Sequence, residues 1–296
     1  MRVLIAGGQG QLGSDLGPAI SAAGLEPLPL GRTDIELTRP ETIEAALDQY
    51  QPVQVINCAA WNLVDLAEDT PEDAFAVNSL GARNLAIACH ARSIPLVHIS
   101  TDFVFSGMEE GGDRKSPYTE RDLPGPLSVY GCSKLAGEYL VTASCPDSMI
   151  VRTCGLYGLK ATRAKGNFVE TMLRLGAERE ELSVVHDQRC TPTFTRDLAE
   201  GIVRLCQSGS PGVYHLTSSG DASWFEFARE IMQIAGLKCR VRPIPATEFA
   251  SKAPRPCYSV LSTEKFTAAT GMLMPEWPDA LRRYLAERLS DENSGS

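Results

Sequence analysis

Gly7, Gly10 and Gly13 follow the chain's first apolar run, Val3-Leu4-Ile5-Ala6, without a break, and open its first amphipathic stretch. A buried strand that turns through residues without side chains straight into a helix leaves backbone N–H groups pointing outward. A dinucleotide pyrophosphate needs this geometry: no Cβ where the phosphates approach, and free amides at a helix N-terminus. The spacing in Gly7-Gly8-Gln9-Gly10-Gln11-Leu12-Gly13 is GxxGxxG rather than GxGxxG. A tight turn is the other reading of the glycines alone, and their place behind the first strand favours the phosphate reading.

Apolar runs then alternate with amphipathic stretches. Strands are expected at 3–6, 25–30, 53–57, 95–100 and 149–152, and helices at 11–23, 40–50, 71–92 and 128–142. In the third of these helices Ala74, Val77, Leu80 and Leu85 are expected to share one face. Such alternation predicts an α/β fold, a Rossmann-type doubly wound parallel sheet over residues 1–152. Residues 190–217 are expected to return to that domain, and 153–189 with 218–289 to form a smaller α/β substrate lobe. In this half, helices are expected at 168–176, 195–206 and 223–235, and strands at 182–186 and 213–217. The stretch 106–129 breaks the rhythm with Gly107, Gly111, Gly112, Pro117 and Pro124-Gly125-Pro126, and long irregular segments in compact domains are usually functional. The polar tail 290–296 reads as disordered.

Composition removes several function classes. A formal net charge of -9 argues against nucleic acid or an anionic membrane as the main partner. The nine cysteines are scattered, with no CxxC pair and no Cys/His cluster at zinc-ligand spacing, so no metal is expected and the thiols read as reduced. No signal-peptide pattern and no membrane-spanning apolar run is seen, which predicts a cytoplasmic protein.

Three further features bear on chemistry. In Leu28-Pro29-Leu30-Gly31-Arg32 the usual ribose-binding acid is missing, and the first acid is Asp34. A 2′-phosphate needs a cation without a carboxylate beside it, so Arg32 favours NADPH, with NADH and a merely solvated arginine left open. Arg32 and Asp34 are both placed beside the cofactor. Tyr130 and Lys134 stand at i and i+4 and share one helix face. A lysine cation there would help the phenol exchange protons near neutrality; a half-buried tyrosine beside a surface lysine is the alternative. Thr101 ends the strand at 95–100, where ligands of open α/β sheets bind, and is also a plausible strand-end cap.

These features resemble the extended short-chain dehydrogenase/reductase superfamily and, more closely, the dTDP-4-dehydrorhamnose reductase family, from Met1 to about Met274. The resemblance runs through Asn57-Cys58-Ala59-Ala60, Val64-Asp65-Leu66-Ala67-Glu68, Val77-Asn78, Ser100-Thr101-Asp102 with Val104-Phe105, and Tyr130 to Glu138. It continues through Val151-Arg152-Thr153, Gly166-Asn167-Phe168-Val169, Asp187-Gln188 with Pro192-Thr193, and Arg255-Pro256 with Ser259 and Leu261. It implies Thr101, Tyr130 and Lys134 as the catalytic set. Cofactor contacts are implied at Gly7, Gly10, Gln11, Leu12, Gly13, Cys58, Ala59, Ala60, Tyr130 and Lys134. Substrate contacts are implied at Thr101, Asp102, Phe103, Asn167 and Arg255, though Asn167 also reads as a helix cap and Arg255 as an ion-pair partner. The implied activity is NAD(P)H-dependent reduction of the 4-keto group of a nucleotide-activated deoxysugar, dTDP-4-dehydro-L-rhamnose to dTDP-L-rhamnose. Phe103 after Asp102 points away from a dehydratase. A non-catalytic NADP-binding regulatory subunit, like that of methionine adenosyltransferase, and a sugar epimerase are the other readings, and a homodimer is left open. The chain departs from the family at Gly155, where a Trp usually flanks the sugar, and at Cys190, Trp61-Asn62 and Phe103. Trp61 is weighed as a replacement aromatic surface against core packing.

Overall fold

Six parallel strands form the central sheet: β1 (Arg2–Ala6), β2 (Glu26–Leu30), β3 (Gln54–Asn57), β4 (Leu96–Thr101), β5 (Met149–Thr153) and β6 (Gly212–His215). Their order is β6-β5-β4-β3-β1-β2, with every neighbouring pair parallel. The α-helices of seven residues or more are α1 (Gln11–Ala22), α2 (Pro40–Tyr50), α3 (Ala82–Ala91), α4 (Val129–Ser144), α5 (Phe168–Glu178), α6 (Thr195–Ser208), α7 (Trp224–Ile234), α8 (Glu264–Thr270) and α9 (Trp277–Ser294), with short helices at Val64–Ala67 and Pro71–Phe75. The computed structural model describes residues 1–109, 112–160 and 166–294, with side chains as far as 290; Gly111 lies outside the described residues.

The period of two along each strand divides the core. Val3 and Ile5 of β1 face Leu12, Leu16 and Ile20 of α1 and Leu198, Ile202 and Leu205 of α6. Leu4 and Ala6 face the other way, against Ile43 and Leu47 of α2, Leu85 and Cys89 of α3, and Val141 of α4. A third cluster builds the lobe: Tyr157, Phe194, Phe227 and Tyr284 pack ring on ring, with centroids 5.1–5.8 Å apart. A parallel strand pair, Glu181–Val185 with Arg240–Ile244, flanks it.

Three expectations change. Phe266 of α8 and Met274 pack into the sheet core beside β6 and not into the lobe, because they cover the apolar edge that α6 and β6 leave open. The backbone helix α9 continues to Ser294, into the tail assigned to disorder, and residues 295 and 296 lie outside the described residues. The helix expected at 71–92 is interrupted by a π-helical stretch, Ala76–Gly81. Its wider turn rotates the buried face, so Leu80 is exposed while Asn78 and Ser79 are buried.

One buried ion pair ties the sheet to the helix above it. Arg152 of β5 donates to Glu138 of α4 through Nη2 at 2.7 Å and Nε at 2.9 Å, and Ser100 of β4 donates to the same carboxylate at 2.5 Å. Removing one partner of such a pair strands the other charge in a low dielectric. Glu138→Ala is therefore expected to cost about 3–5 kcal/mol, read as a lower urea midpoint, and Glu138→Ala with Arg152→Met is expected to recover part of it.

Candidate active site

The glycine turn is built on backbone contacts that no side chain fits between. Gly7 has φ of +76°, and a Cβ on it would lie 2.8 Å from the Ala59 amide nitrogen. A Cβ on Gly13 would meet the Gly7 carbonyl oxygen at 2.5 Å, so this glycine lets α1 approach the turn. In front of the turn opens a cavity of about 700 Å³, walled by Gly7, Gly10, Gln11, Arg32, Glu36, Cys58, Ala59, Ala60, Trp61 and Lys160 among others. The bare backbone beside free amides at the start of α1 fits a dinucleotide diphosphate. Leu12 packs its side chain into the sheet core instead of lining this cavity.

At the end of β2 the arrangement differs from the expected one. Asp34 is exposed, and its Oδ2 accepts the Gly31 amide at 2.8 Å, which closes the turn after the strand. The carboxylate on the cavity wall is Glu36, which the residue pattern did not single out. Arg32 donates to Glu36, and Thr38 Oγ1 donates to the same carboxylate at 3.1 Å. These hydrogen bonds outweigh burial and hold the Glu36 carboxyl below the ordinary glutamate range. The cation expected to meet a 2′-phosphate thus already faces a carboxylate.

Thr101 and Tyr130 come together from β4 and α4. Burial pushes the Tyr130 phenol up to about 12, with the nearby Asp102 carboxyl acting in the same direction and the Thr101 hydroxyl against it. Phe103 packs edge-on against Tyr130 at 5.7 Å. Lys134, one turn on, is 2% exposed and donates to the Ile99 carbonyl at 2.6 Å. Burial brings its ammonium down to about 8, with Glu138 and Cys58 opposing. Cys58 joins the two regions, lining the cavity while sitting in the field of Lys134.

Three of the residues implied for substrate, Asp102, Asn167 and Arg255, bond to other protein groups. Asp102 is 3% exposed, and both its oxygens accept protein donors. Asn167 caps α5 by accepting the Glu170 amide at 2.9 Å, while its amide donates to Gln11 Oε1 at 3.1 Å and Gly158 O at 3.2 Å. Arg255 pairs with Asp65 at 2.9 Å, pinning the 253–255 segment to the helix Val64–Ala67. Glu68, just after that helix, accepts the Val129 amide at the start of α4 at 2.9 Å. Gly155 has φ of +56°, and a Cβ would come within 3.2 Å of Thr191 O, so this backbone disfavours a tryptophan there. Trp61 lines the cavity, its backbone held by Asn78, which accepts the Trp61 main-chain amide at 2.8 Å and donates to its carbonyl at 2.9 Å. Asn78 had no visible role in the sequence because the π turn that aims it is not a periodicity signal. His98, His186 and His215 join no ligand cluster: among the described residues no group of His, Cys, Asp and Glu could hold a metal.

Comparison with known proteins adds to this geometry. The model of the RmlD substrate binding domain matches residues 1–290. A dTDP-4-dehydrorhamnose reductase of Streptomyces griseus is 40% identical over 287 residues, 95% of this chain and 91% of that protein. A dTDP-4-keto-6-deoxy-D-glucose reductase of Streptomyces niveus is 38% identical over 294 residues, 99% of each chain. The crystal structure of dTDP-4-dehydrorhamnose reductase from Bacillus anthracis in complex with NADP superposes with a TM-score of 0.90 at 38% identity, covering 97% of this chain and 99% of that one.

The turn itself is testable. Gly13→Ala forces a methyl against the Gly7 carbonyl and the Gly8 backbone, and is expected to weaken dinucleotide binding at least tenfold in a fluorescence titration and to lower the thermal midpoint as well, because only backbone can give way.

Proposed function

The chain belongs to the RmlD substrate binding domain family, and we propose from that membership that it is an NADPH-dependent ketoreductase of nucleotide sugars. The reaction is reduction of the 4-keto group of a dTDP-deoxysugar, with dTDP-4-dehydro-L-rhamnose going to dTDP-L-rhamnose. The carrying observation is the meeting of Thr101, at the C-terminal end of β4, with Tyr130 of α4, beside a glycine-cradled cavity. The names of the relatives favour this reading over a non-catalytic cofactor-binding subunit.

The bound dinucleotide supplies hydride to the carbonyl carbon. Gly7, Gly10 and Gly13 would hold its diphosphate, with Cys58, Ala59 and Ala60 lining the cavity beside Gly7. Tyr130 enters turnover protonated, since a phenol pushed up to about 12 keeps its proton at neutral pH. It gives that proton to the carbonyl oxygen as an alkoxide forms there, which is general acid catalysis. Thr101 steadies the developing charge from the strand end. Lys134, largely charged at pH 7, keeps a cation under the same floor. Among the described residues no helix is long and apolar enough to cross a membrane. We place the reaction in the cytoplasm, with a homodimer as the oligomeric form to test by sedimentation.

The assay follows NADPH consumption with dTDP-4-dehydro-L-rhamnose, with dTDP-4-keto-6-deoxy-D-glucose as the alternative substrate. Turnover with neither, despite NADPH binding, would refute the reading. Tyr130→Phe is expected to lower kcat by about 10²–10⁴-fold with NADPH affinity kept. Glu36→Gln releases Arg32 from its carboxylate, and is expected to raise the NADPH-over-NADH affinity ratio several-fold in direct binding measurements.

A further inference from the structure

Among the described residues, the charged side chains on the wall of the dinucleotide cavity are Arg32, Glu36 and Lys160. Two of them answer each other, since Arg32 donates to Glu36 at the end of β2. Lys160 is left over. It is exposed, and its ammonium makes no hydrogen bond or ion pair with another described residue. A dinucleotide diphosphate brings negative charge into a chain whose own formal net charge is -9. The free amides at a helix N-terminus set only about half an elementary charge against it, so the glycine turn alone leaves most of that charge unanswered.

The docking of the lobe's first segment on α1 places Lys160 there. Gly158 follows the short strand Leu156–Tyr157, and its amide donates to the Gln11 side-chain oxygen at 3.0 Å. Asn167 closes the same corner, donating to Gly158 O at 3.2 Å and to Gln11 Oε1 at 3.1 Å. A Cβ on Gly158 would lie 3.3 Å from Asp15 Oδ2, so the segment runs flush against the first turns of α1. Gln11 is the first residue of that helix and lines the cavity beside Gly10. Lys160, two residues on from Gly158, therefore stands on the cavity wall near the end of α1 that carries the free amides. Burial raises the Asp15 carboxyl, one turn into α1, against its Thr195 hydrogen bond and the Arg196 and Lys160 charges. Asp15 takes its hydrogen bond from Thr195, which leaves the Lys160 ammonium to the cavity.

We propose that Lys160 is a cofactor-binding residue, a cation carried by the lobe that meets the diphosphate of the bound dinucleotide while the glycine turn meets it through backbone amides. The proposal rests on the dinucleotide-binding part of the function above and not on the reduction. The diphosphate is common to NADPH and NADH, so Lys160 adds affinity for both alike, whereas the Arg32–Glu36 pair bears on the difference between them. Lys160 touches no reacting atom, so it acts on cofactor affinity and leaves the hydride step alone.

Lys160→Met keeps the aliphatic stem and removes the charge. In direct binding titrations at low salt it is expected to weaken NADPH and NADH by the same factor, about fivefold, the upper end for an exposed ion pair. Lys160→Arg is expected to stay within about twofold of the parent, and Lys160→Glu to lose more than Lys160→Met. At about 1 M salt, where the screening length falls to about 3 Å, the parent and Lys160→Met are expected to bind alike. The nucleotide 2′-AMP, which has the 2′-phosphate and no diphosphate, is expected to bind both proteins equally at any salt. Unchanged dinucleotide affinity in Lys160→Met, a loss confined to NADPH or shared by 2′-AMP, or a loss that persists at high salt would overturn the proposal. So would an effect seen only as a raised KM for the nucleotide sugar. A wild-type protein that binds NADPH but consumes none refutes the reduction alone, because the supporting arms are binding measurements; one that binds neither dinucleotide overturns both.

Discussion

The pair between Arg152 and Glu138 sets the position of everything that matters at the candidate site. Glu138 lies one turn beyond Lys134 and two beyond Tyr130 on α4, so it shares their face of the helix. Ser100 and Arg152, its two partners, immediately precede Thr101 on β4 and Thr153 on β5. One carboxylate therefore fixes the register of α4 over two strands at the level where their ends form the site. Desolvating two charges is expensive, and a purely apolar contact would hold the helix as firmly but let it slide. The directional bonds from Ser100 and Arg152 do not.

Much of the architecture was legible in the sequence. The apolar runs of β1, β3, β4 and β5 are short and uninterrupted because both faces of a parallel strand are covered, and Pro40 marked the start of α2 to the residue. The losses have physical causes. Arg240–Ile244 reads Arg-Val-Arg-Pro-Ile, an exposed lobe strand with charges on its outer face and a proline, and looks like a loop. Helix α9 ends in Asp, Glu, Asn and Ser, a composition of disorder, yet Ala280, Leu281, Tyr284 and Leu285 anchor its first half in the lobe core. The π turn at Ala76–Gly81 adds a fraction of a turn that no 3.6-residue pattern reveals.

At the site, residue types were legible and partners were not. Glycine spacing located the turn, and Tyr130 with Thr101 meet as their places on a helix and a strand end suggested. Which carboxylate meets Arg32, and which donors fill Asp102, depend on side chains brought together from distant segments. Glu36 lies only four residues from Arg32 but reaches it through an irregular loop, whereas Ser259 is 157 residues from Asp102. The same holds for Lys134: its spacing from Tyr130 was visible, but the Ile99 carbonyl that claims its ammonium was not.

Gln11 carries a consequence of its own. Its side-chain oxygen, on the first residue of α1, accepts both the Gly158 amide and the Asn167 side chain, and these lie where the lobe leaves the sheet domain. A single oxygen atom at the diphosphate turn is thus a latch between the two halves of the molecule. Replacing Gln11 by a side chain without that oxygen would leave the Gly158 amide without its acceptor and the Asn167 side-chain amide with the Gly158 carbonyl alone.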